Sequence, residues 1–339
     1  TLKHQIRIQD KAGSHHILEV NGYLWVPCLM LDQIVILNFD LYEVGRINME
    51  KGSGPRHAVL VDHYYYICGE LSNVLYAIDV DTRQVVSREE LLVSKKDTKA
   101  VYKDGNTVRK VFAPDYSKTD VLYEALNTAR VEDTGLDIPK ILSVSVEDGQ
   151  WVITSEYAKG VTLTQLIKEH PENIDSYVHA MVDYQIAFNK RSNPLLLKLK
   201  DKLVRQINEL ELDSNIKYEL STRLESLPKH NKLCHGDYCP DNILVETDDA
   251  GKITAITAVD WVHATQGNAS ADVANTYLML KLVDESFAEK YLVDFCKKTH
   301  TDRRYVHSWL PIVAAARMTK HIPEEKELLE SMIDVCDYQ

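Results

Sequence analysis

Residues Leu233 to Val245 read LCHGDYCPDNILV, and after a short polar break residues Ile253 to Trp261 read ITAITAVDW. The first segment carries Asp237 and Asn242 in a D-x-x-x-x-N pattern and runs straight into the apolar triplet Ile243-Leu244-Val245. The second is a β-branched run that ends on Asp260. Two apolar runs separated by TDDAGK (Thr247 to Lys252) predict a strand hairpin, because Asp and Gly supply the conformations a tight turn needs. Closing that hairpin sets Asn242 beside Asp260 and leaves Asp237 on the loop that enters it.

Each piece alone has an ordinary explanation, since an Asp at a strand end commonly caps a turn. The ordered set implies phosphoryl-transfer chemistry. One carboxylate, Asp237, would orient or deprotonate an attacking hydroxyl. An amide oxygen and a second carboxylate, Asn242 and Asp260, would hold Mg2+ on nucleotide phosphates. Asp237, Asn242 and Asp260 are therefore the candidate catalytic residues, with Asn242 and Asp260 the candidate metal ligands.

At 339 residues the chain is long enough for two or three domains. No run approaches the length of apolar sequence that a membrane span requires, and TLKHQIRIQD is no signal segment. It also lacks an initiator Met, which points to missing residues upstream. The six cysteines form no C-x-x-C pair, and Cys234, His235 and Cys239 fit no common zinc spacing. Reduced cysteines in a cytoplasmic protein are the expectation. A net charge of −12, spread along the chain, argues against nucleic acid or an anionic membrane as partner. It mildly favours a cationic small molecule.

Residues 1–90 contain two copies of one unit. A shift of 41 positions lays His16 on His57, Tyr23 on Tyr64, Trp25 on Tyr66, Asp32 on Asn73 and Asp40 on Asp81. Each copy reads as short β-branched or aromatic strands, HHILEV, YLWVPCL and QIVILNFD, then RHAVLV, YYYICGE and VLYAIDVD. A period near 40 with about four strands is the mark of a β-propeller blade. The segments GSGPRH, GELSN and YAIDVD resemble the lactonase family of seven-bladed propellers. That resemblance implies site roles for His16, Arg56, His57 and Glu70. Two blades cannot close a ring, however, so no lactonase activity is expected. The expected role is packing or homodimerisation through the N-terminal β unit, which would cover apolar positions such as Ile34, Ile36, Val59 and Val61.

Residues 91–156 have the texture of a small α+β lobe. Leu91-Leu92-Val93 begins a strand, SKKDTK reads as a polar loop, and AVYKDGNTVRKVF forms a hairpin about Asp104-Gly105. Lys110 alternates with Val108 and Phe112 on its second strand. KTDVLYEALNTARVE has helical spacing, with Val121, Leu122, Ala125, Leu126 and Ala129 as its apolar side and Glu124 nearby. A strand lysine that holds phosphates and a helix glutamate that pairs with it are the small-lobe requirements of a kinase. A further hairpin about Glu147-Asp148-Gly149 ends in SEYAKG, where backbone at Glu156, Tyr157 and Ala158 would be free of a ladder and able to bond an adenine ring.

Residues 157–339 read as mostly helical, with breaks at Asn193-Pro194 and Leu227-Pro228. ADVANTYLMLKLVDESFAEKYLVDFCKKT and RRYVHSWLPIVAAARMTKHI each read as one helical stretch. Asp272, at the start of the former, is expected to tie the catalytic loop down. In order, VRKVF, EYAKG, CHGDYCPDNILV, VDW and ADVANTYL resemble the aminoglycoside phosphotransferase family of kinase-like enzymes. The resemblance implies a bilobal protein-kinase-like α+β fold behind an N-terminal all-β two-blade unit. It implies ATP, with GTP as the other donor, and Mg2+ as cofactors, and a small-molecule hydroxyl as acceptor. It makes Lys110 the phosphate lysine and Glu124 its partner. SKKDTK has no glycine, so Ser94, Thr98 and Lys95-Lys96 would cover the phosphates. Asp241, Tyr238 and Trp261 near the loop suggest a cationic, aminoglycoside-like acceptor. A choline- or sugar-type kinase is the nearest alternative, and a non-catalytic binding module with a degenerate kinase lobe the other.

Overall fold

The computed structural model describes residues 5–333 except 73, 97, 249 and 250, and the side chains of 87–96 are outside the description. The chain divides into two compact units: Thr1–Val121 with Ile141–Tyr157, and Leu122–Lys140 with Ala158–Gln339.

The first unit is built from the repeat. Strands β1 (Leu18–Val20), β2 (Tyr23–Cys28), β3 (Gln33–Leu37) and β4 (Glu43–Asn48) form one antiparallel meander. Strands β5 (Pro55–Val61), β6 (Tyr64–Gly69), β7 (Val74–Asp79) and β8 (Gln84–Lys96) repeat it. Tyr23 and Tyr64, Gln33 and Val74, and Glu43 and Gln84 begin matching strands, so the sequence repeat is the strand repeat. Strand β4 is the one its sequence hides, because EVGRIN holds a glycine and two charges and is mostly exposed. The two meanders bury Trp25, Ile34 and Ile36 of one with Tyr65, Ile67 and Tyr76 of the other. The Trp25 and Tyr65 ring centroids lie 4.9 Å apart. Ile34 and Ile36 thus find cover within the unit, whereas Val59 and Val61 remain 55% and 48% exposed.

Strand β8 leaves the repeat without a break. Its residues Gln84–Glu90 pair with β7, and Leu91–Lys96 pair with β9 (Lys99–Asp104). The sheet continues through β10 (Thr107–Phe112) to the hairpin of β11 (Ile141–Glu147) and β12 (Gln150–Glu156), in the order β11-β12-β10-β9-β8-β7-β6-β5. SKKDTK is therefore not all loop: Ser94–Lys96 end β8 and Lys99 begins β9, with Thr98 in the turn between them and Asp97 outside the described residues. Ser94 and Lys95 stand opposite Val101 and Ala100, because an adjacent strand supplies the ladder that polar side chains alone do not predict. The side chains of Ser94, Lys95 and Lys96 lie outside the described residues.

Helix α1 (Lys118–Glu132) forms over the predicted residues, with a different stripe inward. Val121, Glu124, Ala125, Asn127 and Val131 are buried, and Leu122 and Leu126 are exposed. Polar groups take two inward places because they have partners: the Asn127 amide donates to the Val262 carbonyl at 2.8 Å.

The second unit is mostly helical around one core. After β13 (Val161–Thr162) come α2 (Leu163–Glu169), α3 (Ile174–Asn189), α4 (Leu199–Glu209) and α5 (Ser214–Ser226). Strand β14 (Lys232–Cys234) pairs with β17 (Thr265–Gly267), and β15 (Ile243–Thr247) with β16 (Ile253–Ala258) and β13. Helices α6 (Ala269–Lys281), α7 (Glu285–Thr299), α8 (Arg303–His307), α9 (Leu310–Met318) and α10 (Lys326–Ile333) follow. The two long helical stretches are each broken once. Asp284 accepts the Phe287 amide at 2.9 Å and starts α7 with an N-cap that periodicity does not reveal. Ser308 and Trp309 separate α8 from α9, with Pro311 in the first turn of α9. Among the described residues no helix is long and apolar enough to cross a membrane.

Candidate active site

The β15–β16 hairpin sets Ile243 opposite Ala258. The Val259 amide then donates to the Asn242 carbonyl at 2.9 Å, so Asn242 and Asp260 emerge from the same end of the hairpin. Asp260 adopts a left-handed backbone, with φ of 64°, which turns the chain out of the strand into a short 3-10 turn from Trp261. Asp260 joins the small set of residue types that enter this region readily.

Asp237 lies on the loop leading into the hairpin. The Asn242 amide nitrogen donates to the Asp237 carbonyl at 2.9 Å and to its carboxylate at 3.3 Å. Hydrogen bonding thus brings Asp237 and Asn242 together, and the strand register adds Asp260. Because the amide nitrogen is committed to Asp237, the Asn242 Oδ1 is the end left to serve a cation. Asn242 and Asp260 together supply oxygen donors of the kind Mg2+ prefers. Among the described residues no group of three or more His, Cys, Asp or Glu side chains could hold a metal ion.

A buried carboxylate holds the loop in place. Asp272 on α6 is 3% exposed. It accepts the His235 amide at 3.1 Å, the Gly236 amide at 2.8 Å and the Gln185 side chain at 3.2 Å. Burial raises its pKa above the ordinary carboxylate value, while these donors favour the charged form. Asn275, one turn along α6, donates to the Gly236 carbonyl at 3.1 Å. Gly236 needs to be glycine: its φ is 81°, and a Cβ would come within 2.6 Å of the His263 carbonyl.

His235 braces the other side. Its Nδ1 accepts the Asp237 amide at 3.3 Å, which leaves Nε2–H to donate to the Val259 carbonyl at 3.1 Å. Burial lowers its pKa and keeps it neutral, and its ring lies 4.3 Å from that of Trp261. One imidazole therefore ties the Asp237 loop to the strand that delivers Asp260.

The electrostatics around Asp237 are mixed. Burial opposes its charge, yet Lys320 at 3.3 Å and the neighbouring His263 and His235 bring its pKa below the usual carboxylate value. Burial and then Lys202 push His263 down to about 4. Burial also raises the Cys239 thiol to about 11 and lifts the Cys234 thiol well above the ordinary thiol value, so neither is a ready nucleophile or metal ligand.

The other predicted residues are placed each within its own unit. Lys110 sits on β10 opposite Val101 and Ile153, in the first unit, and Glu124 is buried on α1 in the second. The linker differs from expectation. Glu156 is still in the ladder opposite Thr107, and the Tyr157 amide donates to the Asn106 carbonyl at 2.9 Å. Only Ala158 lies beyond it, because β12 is longer than its apolar run and its partner turn reaches back. Tyr238 and Trp261 are core residues: the Tyr238 hydroxyl donates to the Met181 carbonyl at 2.8 Å and the Trp261 indole to the Ala258 carbonyl at 3.0 Å. Neither ring offers a face to an acceptor. Sequence reasoning missed His235, His263, Lys202 and Lys320 as parts of this site. The HGD order around Gly236 held a signal for His235; nothing local marks the two lysines.

A model of the phosphotransferase enzyme family matches residues 97–309, well over half of the chain. The chain belongs to this family. A model of the seven-bladed β-propeller lactonases matches residues 4–100, so the two matches meet at the turn between β8 and β9. No curated protein matches the chain. Among solved structures, a thermostable mutant of aminoglycoside phosphotransferase APH(4)-Ia, in ternary complex with AMP-PNP and hygromycin B, is 16% identical. The alignment covers 75% of this chain and 94% of that one, with a TM-score of 0.54. An aminoglycoside-3'-phosphotransferase of type VIII is 15% identical over 67% of this chain and 93% of its own, with a TM-score of 0.51. At these identities the likeness establishes a kinase-like phosphotransferase fold.

In the N-terminal unit, the residues singled out by the lactonase resemblance do meet. Arg56 pairs with Glu70, and the His16 and His57 rings lie 5.6 Å apart. They belong to a two-blade unit, with no ring of blades around them among the described residues.

Proposed function

We propose that this phosphotransferase moves the γ-phosphoryl group of ATP to a hydroxyl of a small molecule. The observation that carries the reading is the convergence of Asp237, Asn242 and Asp260 on one hairpin, under a loop anchored by Asp272. In the transfer the hydroxyl oxygen bonds to the γ-phosphorus, the bond to the bridging oxygen of ADP breaks, and the hydroxyl proton passes to the Asp237 carboxylate. The depressed pKa of Asp237 suits a group that orients the hydroxyl and receives its proton late. Asn242 and Asp260 would hold Mg2+, which when bound neutralises charge on the phosphates. Lys110 would serve as the phosphate lysine, and Ala158 as the backbone contact for the base.

The test is release of ADP from Mg-ATP by the full chain in the presence of amino sugars, cholines, sugars and macrolides. Phosphorylation of one hydroxyl compound, abolished in Asp237→Asn, is the expected result. Turnover that survives that substitution would remove Asp237 from the chemistry.

A further inference from the structure

The surface beside Asp237 is lined by cations. One opening in the second unit is bordered by Lys202, His263, Asp272, Arg317 and Lys320. A second shares Lys202 and His263 with it and adds Arg130 and Arg205. Across both linings Asp272 is the one carboxylate against five cationic side chains, and it is occupied by the loop amides.

Two of the cations are neutralised from outside the lining. Arg317 pairs with Glu325 at 2.6 Å, and Lys320 with Asp237 itself at 3.3 Å. Arg130, Lys202 and Arg205 have no carboxylate within ion-pair distance among the described residues. The Arg130 Nε is buried with no hydrogen-bond partner. The Lys202 ammonium has only the His263 carbonyl, at 3.3 Å. Burial and the neighbouring Lys320 hold its pKa down to about 8. Arg130 and Lys202 are partly buried and Arg205 is exposed. A partly desolvated cation without a carboxylate partner gains from an anion that joins it.

Resting on the reading of Asp237 as the group that meets the acceptor hydroxyl, we infer that the acceptor is a hydroxy compound with an anionic group, a carboxylate or a phosphate, held by Lys202 and Lys320. In the free protein Lys320 occupies one oxygen of Asp237. An acceptor anion takes Lys320 over and releases that oxygen to the hydroxyl. A cationic acceptor has no such exchange open to it: it meets Lys202, Lys320 and Arg205 as like charges, and Tyr238 and Trp261 are buried away from it. The cationic acceptor suggested by the acidic composition is thus disfavoured by the local charge.

The experiment titrates the full chain, saturated with Mg-ADP, with inorganic phosphate and with D-gluconate, D-glucose and D-glucosamine, which carry negative, no and positive charge on similar skeletons. Calorimetry is expected to show phosphate binding that weakens about tenfold in Lys202→Met and several-fold in the exposed variant Lys320→Gln. Gluconate should bind more tightly than glucose, with glucosamine last. Lys202→Arg should recover most of the phosphate affinity, which a merely structural role for the side chain would not produce. Absent phosphate binding, binding unchanged in Lys202→Met and Lys320→Gln, or glucosamine as the tightest of the three overturns the inference. Failure of the phosphotransfer reading would show separately, as no binding of Mg-ADP and no turnover of Mg-ATP.

Discussion

The Lys103 ammonium donates to the Leu71 carbonyl at 2.9 Å, joining the strand next to β10 to the loop between β6 and β7. It also lies 4.2 Å from the centroid of the Tyr157 ring, at the end of β12. Burial lowers its pKa, but hydrogen bond and ring keep the cation in place. One lysine therefore connects the second blade of the repeat with the residue that begins the linker.

Removing that connection should be measurable. Lys103→Met keeps the aliphatic stem and loses the charge, and we expect a loss of about 1–3 kcal/mol in a urea melt. A chain begun at Leu91 should fare worse, since it cuts β8 in two and removes the strands β5 to β7 that continue its sheet. A fragment as soluble and as stable as the full chain would contradict both expectations.

Asp237 and Asp260 should separate kinetically. Asp237→Asn keeps shape but removes the carboxylate facing the hydroxyl, so kcat should fall on the order of a hundredfold with nucleotide affinity nearly unchanged. Asp260→Asn removes a formal charge from the cation site and should weaken Mg-nucleotide binding as well. Equal effects on nucleotide affinity, measured by calorimetry, would refute this division of roles.

Asp272 carries a structural prediction. Asp272→Ala leaves the His235 and Gly236 amides buried without their acceptor, a loss of about 3 kcal/mol or more in denaturant. Activity should fall with it, because the same amides position Asp237. Wild-type stability in Asp272→Ala would show that the loop is held by something else.

His263 fixes the sign of an acid response. Its folded pKa, about 4, lies below the ordinary value of 6.5, so between these pH values the unfolded chain binds the extra proton. Stability contributed by the neutral ring is present above 6.5 and is lost as pH falls toward 4. Lys202, Lys320, Asp237 and Asp260 are the charges facing it. Urea midpoints at pH 7 and pH 5 should therefore differ more in the wild type than in His263→Gln, and a parallel fall in both would dismiss His263 as the cause.

The hairpin around Asn242 and Asp260 could be read from sequence because its strands and turn are contiguous and its alternation is short-range. The blades could be read because a repeat compares the chain with itself. Lys202 and Lys320 could not, since they approach the Asp237 loop from α4 and from the turn after α9, far away in sequence, and only packing decides their direction. The inward face of α1 was equally hidden: Leu122 and Leu126 look like core residues, yet Glu124 and Asn127 are the buried ones. The strand character of Ser94–Lys96 fell outside pattern reading because their ladder partner in β9, rather than their composition, makes them the end of a strand.

Strand β8 has one further consequence. The lactonase-type match extends to residue 100, so the strand that flanks β9 is supplied by propeller-type sequence. The joint between two protein patterns thus falls within a hydrogen-bonded ladder, where phase matters: one inserted residue exchanges the two faces of everything that follows. Between Leu92 and Ser94, directly after the hand-over from β7 to β9, the register slips by one residue against Tyr102 and Val101. An extra residue at that point restores the alternation of faces that one continuous strand has to keep while it pairs with β7 on one stretch and β9 on the next.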